Sequence, residues 1–424
     1  MKNMIRPLLL AIAAVMTAGA AQAQNKVTIT VASFPDLDRG VKAAIPLFQK
    51  INPNIEIKLA SLAYPDHHTA MTTALATGAN LPDVMAVDND FIGKFAESGG
   101  LEDLAKAPYN AMQYRAKVAK FSYPQAMSGT GALNAMPVDI GPGAMFYRKD
   151  LTDKAGVSEA DLTKSWESYI EAGKKVKAAT GAYMLGNAVD IKDIYIRSGL
   201  KDGEGVYFDK KGQPLVTSAR FVKAFELAKA ARTAGIDGKI GAWSNEWTEG
   251  FKRDRIASQM MGAWLNGHLT NWLAKEQAGK WRSAQLPNNS FGYWGGSFYA
   301  IPKKAQNKAA AWEFIKFLTL NKEMQLEAFR KLDAFPSLIE AQNDAFLDQP
   351  IEYLGGQKAR QQWKVAADKI QAIAVDKYDP VAREVVNAES RKSARTEQGH
   401  QDRPRRRTSH AEEARAPLIP GPRG

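Results

Sequence analysis

The chain of 424 residues contains no cysteine, which excludes disulfides, zinc–thiolate sites and cysteine nucleophiles. Histidine is scarce. The five histidines, His67, His68, His268, His400 and His410, form no His-Glu-x-x-His pair, and neither Gly-x-Ser-x-Gly nor a phosphate-binding P-loop occurs, so zinc-peptidase, serine-hydrolase and nucleotide-hydrolysing chemistries lack their signatures. No catalytic residue, metal ligand or cofactor site is therefore expected. Asp202, Glu204 and Asp209 lack the spacing and terminal glutamate of a calcium-binding loop and read as a solvated turn. His67 and His68 are expected at the surface. After the first residues no stretch approaches the ~18 apolar residues that a membrane span needs.

The first residues read as an export signal over 1–23. Lys2 and Arg6 give a positive start, Leu8 to Ala18 an apolar run, and Ala21-Gln22-Ala23 a small-residue cleavage site. Residue 24 would open the mature chain, and a periplasmic location follows as the expectation. With 45% apolar and 24% charged residues, the chain can bury a large core, more readily in two domains than in one. The formal charge of +12 says little about a ligand, because the last residues are strongly basic. From Arg391 nine Lys or Arg stand against four Asp or Glu, with prolines and no apolar period. Residues 390–424 read as a disordered tail, a nucleic-acid arm being the alternative; no nucleic-acid partner is expected.

From Lys26 strands and helices alternate. Val27, Ile29 and Val31 keep a period of two, Val41, Ile45 and Phe48 a helical one, and Ile55, Ile57 and Leu59 return to two. A helix through Thr77 stops at Gly78, and Leu81 to Val87 forms a buried strand. The class is α/β with a mostly parallel sheet, and ligands sit at the carboxyl ends of strands in such sheets. Three loops qualify there. One carries Phe34, Asp36 and Asp38, the next Tyr64 to Asp66, the third Asp88, Asn89 and Asp90. Their carboxylates suit hydroxyl donors; as the alternative, Asp38 or Asp90 merely caps a helix.

The segment from Gly292 to Pro302 contains Trp294-Gly295-Gly296. Adjacent glycines let backbone N–H groups approach a ligand, and the indole offers a flat apolar face. A molecule flat on one side and polar at its rim, such as a sugar, fits this corner. The alternative is a strand end beside a core tryptophan. Ser297 to Ile301 reads as a strand, Asn307 as an N-cap, and Ala311, Phe314, Ile315 and Leu318 as one helical face. Trp243 and Trp247 lie in another aromatic patch, read as a loop; being four apart, they also fit one buried face of a helical turn. Residues 207–216 read as a β-hairpin.

This order of parts resembles that of the family 1 extracellular solute-binding proteins, the substrate receptors of sugar ABC importers. The resemblance spans roughly residues 25 to 389. It rests on the Pro-Asp-Val strand and Gly-Leu turn within 81–104, the crossing segment 136–151 that contains Asp139, the strand and Gly-x-Trp at 257–264, and the stretch 292–318. Arg148 stands where the family has asparagine. The resemblance implies a two-lobed periplasmic-binding-protein fold of type II-like form, each lobe a mostly parallel sheet flanked by helices. Residues 24–147 with 298–338 would form lobe 1, and 148–297 with 339–389 lobe 2, joined by a multi-strand hinge. It also implies a carbohydrate ligand in the cleft, stacked on Trp264 beside Asn266, together with an inner-membrane ABC permease as partner and a monomeric state. Taken alone, Trp264 is more often a core residue. The ligand-binding set is thus Phe34, Asp36, Tyr64, Asp88, Asp90, Asp139, Trp243, Trp247, Trp264, Asn266, Trp294, Gly295 and Gly296.

Two other readings stay open. Two carboxylates suffice for a glycosidase, so a secreted carbohydrate-active enzyme fits as well. The same receptor fold could take a phosphorylated polyol or another anion, although that calls for arginines where these loops carry aspartates.

Overall fold

A computed structural model describes residues 26–389; the expected export signal and basic tail lie outside the described residues. The chain opens with strand β1 (Val27–Ser33), helix α1 (Leu37–Ile51) and strand β2 (Ile55–Ser61). β1 pairs in parallel with β2. Val41, Ala44 and Phe48 of α1 are fully buried, which is the apolar stripe that the helical period requires. Helix α2 (Tyr64–Thr77) ends on Gly78 at φ 75°, a left-handed cap that glycine adopts without Cβ strain. Strand β3 (Val84–Asp88) follows and leads into helix α3 (Asn89–Ala96).

The thirteen-residue strand β4 (Met136–Arg148) is the centre of the molecule. Its first half pairs antiparallel with β7 (Tyr293–Ala300) and with the short β8 (Phe335–Pro336), its second half with β5 (Ser258–Gly262) and β6 (Trp281–Ala284). One eight-stranded sheet results, in the order β2-β1-β3-β7-β4-β5, with β6 and β8 also on β4. Among the strands of the described residues, parallel pairing is confined to β2-β1-β3; isolated parallel bridges also join Tyr183 to Ile256, Leu185 to Asp237 and Gly205 to Ala374. The mostly parallel sheet expected for each half is replaced elsewhere by antiparallel ladders, because β7 returns beside β3 in the opposite direction.

Buried side chains fall into three clusters. One packs β1 and β3 against Met136, Val138, Phe298 and the helix Lys308–Leu320; the other two gather mainly around the second half of β4. Ala311, Phe314, Ile315 and Leu318 are buried on that helix as its period predicts. Within β4 the change of cluster falls between Val138 and Ile140. Arg148 is buried, its guanidinium paired with Asp150 at 2.7 Å and with Asp254, so the departure at this position carries its own counter-charges. The expected hairpin at 207–216 reduces to an isolated bridge between Phe208 and Pro214, its turn held by the Asp209 carboxylate accepting from the N–H groups of Lys211 and Gln213. Among the described residues no helix is long and apolar enough to cross a membrane.

Candidate functional site

A groove of about 580 Å³ runs along the carboxyl ends of β1 and β3 and the middle of β4 and β7. Eleven of the thirteen expected residues line it: Phe34, Asp36, Tyr64, Asp88, Asp90, Asp139, Trp243, Trp264, Trp294, Gly295 and Gly296. Trp247 and Asn266 do not. Ser244 caps the helix Asn245–Lys252, so Trp247 sits on a helix rather than in a loop, fully buried, with its indole N–H donating to Gln259 at 3.0 Å. Asn266 is buried too and donates to Asp333 at 2.9 Å. Both belong to the core, the Trp247 indole N–H and the Asn266 amide nitrogen each finding an acceptor there.

The tryptophan corner is built by close approach. Trp294, Gly295 and Gly296 lie inside β7, which begins at Tyr293 rather than at Ser297, opposite a register shift in β4 between Ile140 and Pro142. Gly296 has φ 121°, a region that side chains avoid, so the extra residues bulge here as bulges do near binding sites. The Trp264 indole N–H donates to the Trp294 carbonyl at 2.7 Å. A Cβ on Gly262 would lie 2.2 Å from the Trp264 indole nitrogen and 2.5 Å from the Trp294 carbonyl; only a bare backbone lets the two tryptophans meet. Trp264 stacks on Trp243 at 5.9 Å and 24°. Trp243 is 53% exposed, which gives the groove an accessible aromatic wall.

The polar floor follows from sheet register. Asp88 of β3 and Asp139 of β4 both stand opposite Ser297 of β7, so three polar side chains share one row on one face. Tyr64 donates to Asp88 at 2.9 Å, and the Asp90 N–H donates to the same oxygen at 2.8 Å. Asp88, not Asp90, is thus the cap of α3, and it still faces the groove. Burial pushes the Asp88 carboxyl up to about 6, with Tyr64, Arg383 and Arg197 pulling the other way. Burial pushes Asp139 up to about 7, the Ser297 hydrogen bonds offsetting and the Asp88 charge adding to the rise. The Tyr64 hydroxyl is raised by burial and then by Asp88. Near neutral pH such a row can donate as well as accept.

Behind the floor lie His67 and His68, both buried rather than at the surface. Buried imidazoles resist charging, and burial holds each down at about 4. His68 Nδ1–H donates to the Tyr64 carbonyl at 2.8 Å, which leaves Nε2 to accept from the Asp88 N–H at 3.3 Å. His68 thereby positions Tyr64 and Asp88, while His67 Nε2 donates to the Ala86 carbonyl at 2.8 Å. The helix that carries both histidines was readable in the sequence; their burial was not.

Four residues bearing on the site went unread in the sequence. Arg197 and Arg383 both pair with Asp90, Arg197 at 3.4 Å, and Arg197 lies over the Trp294 ring at 5.3 Å. His268 Nε2 lies 3.4 Å from Asp36, while its Nδ1 accepts from the Trp272 indole at 3.1 Å. Asp36 also meets Arg39 at 3.3 Å and does not cap α1 through its side chain. Spacing offered one signal: Trp264, His268 and Trp272 are each four residues apart. Among the described residues no cluster of three or more His, Asp or Glu side chains is arranged to hold a metal ion.

The chain resembles known proteins over most of its length. A lactose-binding protein of Rhizobium radiobacter is 25% identical over 356 residues, covering 80% of each chain. An arabinooligosaccharide-binding protein of Bacillus subtilis (strain 168) is 27% identical over 282 residues, 64% of each. A crystal structure of an extracellular solute-binding protein of family 1 superposes with a TM-score of 0.76 at 25% identity, covering 89% of this chain and 95% of that one. The fold is shared with the ABC-transporter-associated binding protein of B. animalis subsp. lactis in complex with β-1,6-galactobiose, at a TM-score of 0.70 and 24% identity over 85% of this chain and 90% of that one. The sequence profile of the bacterial extracellular solute-binding proteins matches residues 13–325, and the protein belongs to that family.

Proposed function

We propose that the protein is the periplasmic receptor of an ABC importer, capturing a neutral sugar in the groove and presenting the closed form to an inner-membrane permease. The observation that carries this reading is the convergence of Trp243, Trp264 and Trp294 with Asp36, Asp88 and Asp139 on one groove, although they come from distant parts of the chain. One face of a pyranose exposes polarised C–H groups that meet an indole face favourably. Its hydroxyls need acceptors and donors, since a buried unpaired hydroxyl costs about 1–3 kcal/mol. The row Asp88, Ser297 and Asp139 supplies both. Lactose and arabinooligosaccharides, named for two relatives, set the chemical range.

Residues 24–147 with 298–338 form one lobe in this reading and 148–297 with 339–389 the other, with β4, β7 and β8 as the hinge. A ligand that touches both lobes stabilises the closed arrangement alone, which is all that closure requires. An anionic ligand is less well supported, because Arg197, Arg383 and Arg39 already pair with Asp90 and Asp36. The test is a thermal-shift screen of the mature protein against mono- and oligosaccharides. A true ligand at about 100 times its dissociation constant adds about 2.7 kcal/mol of stability, without turnover. No shift with any saccharide, or hydrolysis of the sugar, would overturn the proposal.

A further inference from the structure

The groove does not stop at His268. A second recess of about 350 Å³ adjoins it and shares Arg39, Gly40, Asn271, Trp272, Ala328 and Leu332 with it. Aromatic rings lead into this recess in series. Trp264 lies 5.4 Å from His268, and His268 lies 5.7 Å from Trp272. The three are spaced by four along one helical run, so they share a face. The run ends in a π-helical turn, Leu269–Leu273, a distortion that recurs at functional sites.

Trp272 is 40% exposed, whereas Leu269 and Leu273 in the same turn are fully buried. The turn is therefore anchored by its leucines and needs no tryptophan for its core. The indole is nevertheless held in place by its N–H bond to His268 at 3.1 Å. Arg39, Asn271 and Lys331 line the recess and no carboxylate does, so hydrogen-bond donors surround the ring. At the far side of the groove Asp90, Arg197 and Arg383 are joined by ion pairs. The adjoining recess gives a ligand room to lengthen toward Trp272.

We infer that the solute is an oligosaccharide longer than a disaccharide, its inner rings against Trp294 and Trp264 and an outer ring on Trp272 in the adjoining recess. This rests on the sugar-receptor reading and narrows it. The experiment is calorimetry on the mature protein with malto-, arabino- and galacto-oligosaccharides of one to five rings, repeated with Trp272→Ala and Trp272→Phe. In the series that binds, affinity rises roughly tenfold between two and four rings; Trp272→Ala abolishes that rise and Trp272→Phe keeps most of it. Affinity independent of length, or a rise that survives Trp272→Ala, overturns the oligosaccharide inference and leaves the receptor standing. A phenylalanine variant as flat as the alanine one assigns the indole to positioning His268 and overturns the stacking role. Binding by no member of any series overturns the receptor reading and this inference together.

Discussion

The indole N–H of Trp264 and the backbone carbonyl of Trp294, thirty residues apart in sequence, are joined at 2.7 Å. This bond fixes the Trp264 ring against the β7 backbone that carries Trp294. Trp264→Ala and Trp294→Ala are each expected to weaken sugar binding by more than tenfold, about 1.4 kcal/mol, with the fold retained. Calorimetry checks this; unchanged affinity in both variants would remove the aromatic wall from the site.

Gly262 and Gly296 permit that geometry. Gly262→Ala would force a Cβ against the Trp264 ring and the Trp294 carbonyl, and Gly296→Ala would hold a side chain at φ 121°. Overpacking at Gly262 and backbone strain at Gly296 each cost on the order of 1–3 kcal/mol. Chemical denaturation should show a loss of that size for each, accompanied by weaker binding for Gly262→Ala.

Asp139 links pH to stability. Its carboxyl is raised to about 7 by burial, above the ordinary value of 3.8, so between those values the folded state holds a proton that the unfolded state has lost. Stability contributed by this group therefore falls as pH rises through the window. Asp139→Asn removes the penalty. The variant should match the parent near pH 4 and exceed it in melting temperature at pH 8; a constant difference across that range would contradict the assignment.

Asp90 ties the two walls of the groove together through Arg197 and Arg383, and Asp36 does so through His268. Asp90→Asn is expected to enlarge the radius of gyration of the ligand-free protein in X-ray scattering, and saturating sugar should reverse the change. Equal radii for the variant and the parent without ligand would show that these pairs do not hold the walls together.

Trp247 provides the contrast. Fully buried and bonded to Gln259, it should cost about 3–5 kcal/mol on replacement by alanine, the range for large aromatic truncations in cores. Trp243→Ala, at a half-exposed position, should cost little stability and lower affinity instead.

Local pattern carried much of this molecule. The β1-α1-β2 opening, the stop at Gly78 and the buried face of Lys308–Leu320 follow from periods of two and 3.6 and from glycine stereochemistry. The convergence of the three aspartate loops followed from topology. Burial did not follow: Trp243 and Trp247 have the same residue type in the same patch, yet one lines the groove and the other fills the core. His67 and His68 look polar but sit under β3. Arg197, Arg383, His268 and Trp272 reach the groove from elements whose placement depends on pairings more than a hundred residues apart in sequence, which no local pattern encodes. Antiparallel return of β7 beside β3 was likewise a matter of long-range path.

The two register shifts of β4, between Pro137 and Asp139 and between Ile140 and Pro142, interrupt the ladder where the strand passes from one set of partners to the other. A strand bends most easily where its ladder is broken, and Asp139 lies between the two breaks. A group near a pivot travels least when the arms swing. On the proposed receptor reading, with β4 in the hinge, its carboxyl keeps nearly the same place in the open and closed forms and is the fixed handhold of the groove.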